Sequence, residues 1–123
     1  MKNLLFFVAL FLACSPKYQV ELVRGRYPYP VDVVQGAESD AARWAKLVAR
    51  YKPQAERELG FLTAPLLFQR AGVHGEDFVF RYFAPAVESY LRKEHPLYAG
   101  ALFELVVRRD TPRALYYREV PWE

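Results

Sequence analysis

One stretch limits the fold of this chain more than any other. Between residues 36 and 59, Ala41, Trp44, Ala45, Val48, Tyr51, Ala55 and Leu59 recur at helical spacing and fall on one face at about 100° per residue. Arg43, Lys46, Arg50 and Arg57 fall on roughly the opposite face. Ser39 is a candidate N-cap, and Glu38 and Asp40 suit the positive end of the helix dipole. Gly60, followed by Phe61, suits the C-terminal stop. Pro53 sits near the polar face, so one kinked helix is expected rather than two. A helix with a single apolar stripe needs a partner layer, and the rest of the chain must supply it.

The strand signals meet that need. Residues 18–23 alternate apolar and polar. Tyr27-Pro28-Tyr29-Pro30 must run extended, because each Pro fixes φ and restrains the residue before it. Residues 31–34 read as a short edge strand. In residues 101–109, Phe103, Leu105 and Val107 face one way and Glu104 and Arg108 the other. Asp110-Thr111-Pro112 is the expected turn, and residues 114–120 return to complete a hairpin.

The middle of the chain supports two readings. Residues 63–70 suit a strand, paired through Gly72-Val73-His74-Gly75 with residues 78–83. Ala64-Pro65 opening and Gly72 closing also suit a short helix. Pro85 suits the start of a second helix reaching about His95, with Val87, Tyr90 and Leu91 as its apolar face and Pro96 as its end. The expected fold is therefore α+β: an antiparallel sheet of 4–5 strands packed by two helices. Its element order resembles the βαββαβ of ferredoxin-like folds, with an extra C-terminal strand.

Composition narrows the function. The chain has 123 residues, 53% of them hydrophobic, with nine Tyr and nine Phe, enough for one core. The formal charge of +3 is too small, and the basic residues too scattered, for a nucleic-acid partner. The one cysteine excludes an internal disulfide. Asn and Met are absent after residue 14, which points to a thermophilic source. Ile is absent from the whole chain, and no physical reason accounts for it.

The N-terminus carries its own pattern. Met1-Lys2-Asn3 precedes nine consecutive apolar residues, Leu4 to Leu12, the length of a signal-peptide core. A spanning helix needs about 20 such residues. Cleavage after Ala13 by an ordinary signal peptidase would put bulky Phe11 at the −3 position, and cleavage after Ser15 would leave Pro16 just past the bond. Phe11-Leu12-Ala13-Cys14 resembles the lipobox of bacterial lipoprotein precursors, with small Ala13 before the cysteine to be acylated. The resemblance covers the first 15 residues. It implies a signal peptide at 1–13, acyl chains such as palmitate on Cys14, a tether at 14–17 and a single domain at 18–123. It also implies export to the cell envelope. The expected place is the outer membrane or the periplasm-facing inner membrane, or the outer surface of a monoderm; in diderm bacteria Ser15 rather than Asp after the cysteine resembles the pattern sent on to the outer membrane.

No motif for catalysis stands out. The strongest cluster is His74-Gly75-Glu76-Asp77, where a His and two carboxylates on a Gly-flanked loop have the chemistry for metal binding or acid–base work. The competing reading is a polar hairpin turn. No His-Glu-x-x-His spacing occurs, and none of the serines after residue 14, Ser15, Ser39 and Ser89, sits in a Gly-x-Ser-x-Gly elbow. The basic helix face of Arg43, Lys46, Arg50 and Arg57 suits anionic headgroups or plain solvent. The expectation is a lipid-anchored, non-catalytic binding or assembly module, without a cofactor, whose partner beyond the membrane is an envelope protein or wall component. The alternative is a small envelope enzyme or metal-binding protein centred on His74, Glu76 and Asp77.

Overall fold

The computed structural model describes residues 19–59, 65–86 and 98–121. Its elements are strands β1 (Glu21–Arg24) and β2 (Asp32–Val33), helix α1 (Glu38–Leu59), and strands β3 (Leu67–His74), β4 (Asp77–Pro85), β5 (Tyr98–Arg108) and β6 (Thr111–Pro121). All six strands form one sheet in the order β1-β6-β5-β4-β3-β2. β3 to β6 make an antiparallel meander, β2 adds antiparallel to β3, and β1 adds parallel to β6.

This corrects the expected fold class. The described residues hold six strands and one helix, not four or five strands packed by two helices in ferredoxin-like order. Pro85, expected to open a second helix, instead ends β4 opposite Gly100. The rest of that expected helix, residues 87–95, lies outside the described residues. The middle segment is a strand rather than a short helix, at least from Leu67 onward.

Local boundaries shift for physical reasons. The β3–β4 turn contains only Gly75 and Glu76, with Gly75 at φ 58°. His74 and Asp77 are therefore not loop residues but a cross-strand pair. The β5–β6 turn is Arg109-Asp110, and Thr111 and Pro112 already belong to β6. Ser39 lies inside the first turn of α1. Ala37, buried, takes the position before it, and its carbonyl accepts the Ala41 N–H at 2.9 Å.

Helix α1 covers one face of the sheet with the stripe its spacing demands. Ala41, Trp44, Val48, Ala55 and Leu59 are buried, and Ala45 and Tyr51 are partly buried against the same core. The sheet contributes the alternate residues Phe80, Tyr82 and Ala84 from β4, Phe103, Leu105 and Val107 from β5, and Leu115 and Tyr117 from β6. The Tyr82 hydroxyl donates to the Ala41 carbonyl at 2.7 Å, which satisfies the one polar atom this ring carries into the core. Burial pushes its ionisation well above the ordinary range.

The opposite face has a different cover. β1 and β2 are consecutive in the chain yet occupy opposite edges of the sheet. Five strand spacings of about 4.8 Å separate them, roughly 24 Å. Eight residue steps from Arg24 to Asp32 reach about 26–29 Å when extended. The connection must therefore run almost straight across the sheet, and Tyr27-Pro28-Tyr29-Pro30 supplies an obligatorily extended segment. This strap packs Tyr27 on Val79, Val106 and Ala114. It passes close over β3 at Gly72, where an added Cβ would lie 2.8 Å from the Val31 Cβ. A side chain at 72 would lift the strap.

Candidate functional site

The strap face gathers the ionisable residues. Alternation along β4, β5 and β6 puts Arg81, Glu104 and Arg118 on this face, beneath the strap. Glu104 is 3% exposed. Arg81 Nη2 donates to its Oε2 at 2.9 Å, Arg118 Nη1 donates to its Oε1, and the Tyr27 N–H donates to the same oxygen at 3.2 Å. Burial opposes the charge on Glu104, but the two guanidinium bonds outweigh it and hold the carboxyl below its ordinary value. The strap is thus fastened at Tyr27 to a carboxylate that two arginines keep ionised.

A second clamp lies at the other end of the Tyr27 ring. Its hydroxyl donates to Asp77 Oδ2 at 2.7 Å, and Arg108 Nε donates to Asp77 Oδ1 at 3.1 Å. Burial works against ionisation of Asp77, and these bonds again win, so its carboxyl is lowered. Burial and the Asp77 contact push the Tyr27 phenol well above its ordinary range. Burial likewise raises Tyr116, whose ring packs edge-on to Tyr27 at 5.7 Å.

The residues of the sequence cluster do not converge on one point. The His74 ring stacks parallel on Tyr29 at 4.7 Å, and its Nδ1 sits 3.1 Å from the Pro30 carbonyl, an approach that suits a protonated Nδ1 as donor. Asp77 faces Tyr27 and Arg108. Glu76 faces Arg109 at 3.3 Å and Arg108 at 3.9 Å. Among the described residues no group of three His, Cys, Asp or Glu side chains is placed to hold a metal ion. His74 and Asp77 share the strap face through their cross-strand pairing, while Glu76 points into the turn region.

The basic helix face lies outward as its spacing implies: Arg43, Lys46, Arg50 and Arg57 are all exposed. Arg43 is partly committed. It pairs with Asp110 at 3.0 Å and lies over the Trp44 ring at 4.7 Å. Arg50 lies over Tyr51 at 5.9 Å. Cys14 lies outside the described residues.

Sequence reading missed a cationic cleft at one end of the sheet. The β3–β4 and β5–β6 turns fall at the same end of the molecule, because Asp77 pairs with Arg108. There, a cleft of about 600 Å³ is lined by Gln19, Glu76, Arg108, Arg109, Thr111 and Arg113. Its three arginines come from three backbone environments: the end of β5, the turn, and an irregularity in β6. The local clue was Arg108-Arg109 followed four residues later by Arg113, but ordinary strand alternation does not place these side chains together. Comparisons with family models, with curated proteins and with solved structures give no match to this chain.

Proposed function

We propose that this chain is a lipid-tethered module of the bacterial cell envelope that works by binding, with its working surface at the arginine-lined end of the sheet. The tether rests on the sequence alone: the apolar run Leu4 to Leu12 followed by Ala13-Cys14. Among the described residues no helix is long and apolar enough to cross a membrane.

One observation carries the choice of binding over catalysis. The acid–base groups that sequence and structure bring to the strap face are consumed in fastening the strap. Glu104 and Asp77 are held ionised by arginines, Tyr27 is held protonated, and His74 is stacked and bonded to the backbone. A general acid or base has to exchange its proton near the working pH, and each of these carboxylates and this phenol is shifted away from it. The cleft at the turn end, by contrast, presents cations to solvent.

Intact-mass analysis of protein extracted from membranes tests the tether. The mature N-terminus is expected at Cys14 with acyl chains, and Cys14→Ala is expected to lose both the added mass and stable membrane fractionation. Two acyl chains anchor a protein stably, at about 0.8 kcal/mol per buried methylene. A non-acylated mature chain beginning elsewhere would refute it.

A further inference from the structure

We infer that the cleft between the β3–β4 and β5–β6 turns is a binding site for a phosphate-bearing anion, with Arg109 and Arg113 as its principal contacts and Arg108 as the charge behind them. The backbone takes unfavourable forms to place these side chains. Arg109 and Asp110 sit at φ 49° and φ 62°, a two-residue hairpin turn with two consecutive left-handed residues. Asn-Gly or Asp-Gly fills such a turn with far less strain. The chain instead spends a strained position on a long cationic side chain, and strain of this kind gathers at functional sites.

Arg113 is placed by a second irregularity. Val106 pairs with Ala114, but Val107 pairs with Pro112, so Arg113 is the extra residue of a β-bulge. A bulge re-aims its side chain out of the strand's alternation, and here it lines the cleft.

The charges do not cancel. Among the described residues that line the cleft, Glu76 is the one carboxylate, against three guanidiniums. Arg108 is also held by Asp77 at 3.0 Å. Arg109 pairs with Glu76, yet 81% of its side chain stays exposed. Arg113 is exposed, and its charge reaches Asp77, whose carboxyl it helps to hold low. Guanidinium forks match the oxygens of phosphate in a way a lysine ammonium does not. Gln19 and Thr111 add a side-chain amide and a hydroxyl to the walls, and the volume is that of a small-ligand site.

The position of the cleft favours a phosphate at a membrane surface. Gln19 is on its rim, and five residue steps separate Gln19 from Cys14. Fully extended they span at most about 18 Å, so lipid on Cys14 keeps the Gln19 rim of the cleft within that reach of the headgroups. This geometric step rests on the tether reading, whereas the cation cluster itself does not.

The test uses the protein purified from membranes in maltoside micelles at constant ionic strength. Calorimetric titration is run with micelles doped with phosphatidylglycerol, with micelles doped with phosphatidylcholine, and with inorganic phosphate. Saturable binding of phosphatidylglycerol is expected, weakened at least tenfold in Arg109→Gln/Arg113→Gln and changed less than twofold in Lys46→Gln/Arg50→Gln on the helix. Saturation by phosphatidylglycerol but not phosphate identifies a lipid headgroup as the source. Saturation by inorganic phosphate as well identifies a site that also takes the free anion. Equal binding of phosphatidylcholine, an unaltered affinity in the double variant, or no saturable binding overturns the inference. Arg109→Gly separates binding from folding. It relieves the left-handed strain, so its thermal midpoint is expected at or above that of the parent while its affinity falls. The mass of the same preparation reports the Cys14 acylation independently. A non-acylated protein that still binds phosphate through Arg109 and Arg113 would refute the tether and leave this site standing.

Discussion

Replacing Glu104 by Gln changes one buried charge and little else, and the consequence can be worked from the geometry. Removing one partner from a fully buried ion pair costs about 3–5 kcal/mol, because the other charge is stranded. Here the stranded groups are Arg81 and Arg118, whose side chains keep 20% and 24% exposure, so water relieves part of the penalty. Glu104→Gln is therefore expected to lower stability by about 2–3 kcal/mol at neutral pH. With a urea slope of about 1–2 kcal/mol/M for a domain of this size, the unfolding midpoint falls by roughly 1–2 M.

The pH dependence supplies the sharper check. The carboxyl of Glu104 is lowered from its ordinary value of 4.5 in the folded state. Its contribution is then fully present above that ordinary value and is lost as pH falls through the lower folded value, where the native state at last takes up the proton. The gap between parent and Glu104→Gln should accordingly be constant from neutral pH down to the unfolded carboxyl range and close in stronger acid. Asp77 titrates in both proteins and cancels in the difference. Urea unfolding followed by circular dichroism at pH 7, 5 and 3 measures the gap. A gap that is the same at pH 7 and pH 3, or one below about 0.5 kcal/mol at pH 7, would refute the account of a charge held in place by two arginines. Replacing all three by apolar residues, Glu104→Leu with Arg81→Met and Arg118→Met, should cost less than the single change, since no charge is left stranded.

Three further outcomes follow from the packing. Trp44→Ala is expected to cost about 3–5 kcal/mol, because the ring is 6% exposed between α1 and Phe80, whereas Arg50→Ala on the outer face should cost less than about 0.5 kcal/mol; thermal or urea unfolding compares them. Gly72→Ala should destabilise by about 1–3 kcal/mol and increase hydrogen exchange in the strap, since its Cβ would meet Val31 and the Asp32 carbonyl; unchanged exchange would place the strap elsewhere. His74→Ala should cost about 0.5–1.5 kcal/mol through the lost stack on Tyr29, and added zinc should leave the thermal midpoint of the parent unmoved; a zinc gain that vanishes in His74→Ala would restore the metal reading.

Part of this architecture could be read directly. The buried face of α1 follows from spacing, because seven apolar side chains at helical intervals admit one orientation against any partner layer. The β5–β6 hairpin follows from alternation over residues 101–120. The candidate site was far less legible. Glu104 and Arg108 read as ordinary outward residues of a half-buried strand, because a strand's own pattern does not say whether another segment will cover its polar face. His74, Glu76 and Asp77 read as one loop cluster, because a hairpin turn of two residues and one of four look alike in sequence. The two-residue turn makes His74 and Asp77 a cross-strand pair and leaves Glu76 in the turn itself.

The periodic and stiff elements are legible from local pattern: the helix and its face, the last hairpin, and the extended Tyr27-Pro28-Tyr29-Pro30 run. Each depends on interactions within a few residues of itself. Tertiary structure alone decided what lies beside what. β1 pairs with β6 across more than ninety residues, from Glu21 to Ala114. Pro85 suits the first turn of a helix and the end of a strand equally well, and only its place opposite Gly100 selects the strand. Gly100 is at φ 154° and so close to Ala84 that a Cβ there would meet its carbonyl at 2.5 Å. The strap's course was likewise decided only when its two flanking strands took opposite edges of the sheet. Such choices depend on contacts between segments far apart in the chain, and local propensity carries no information about them.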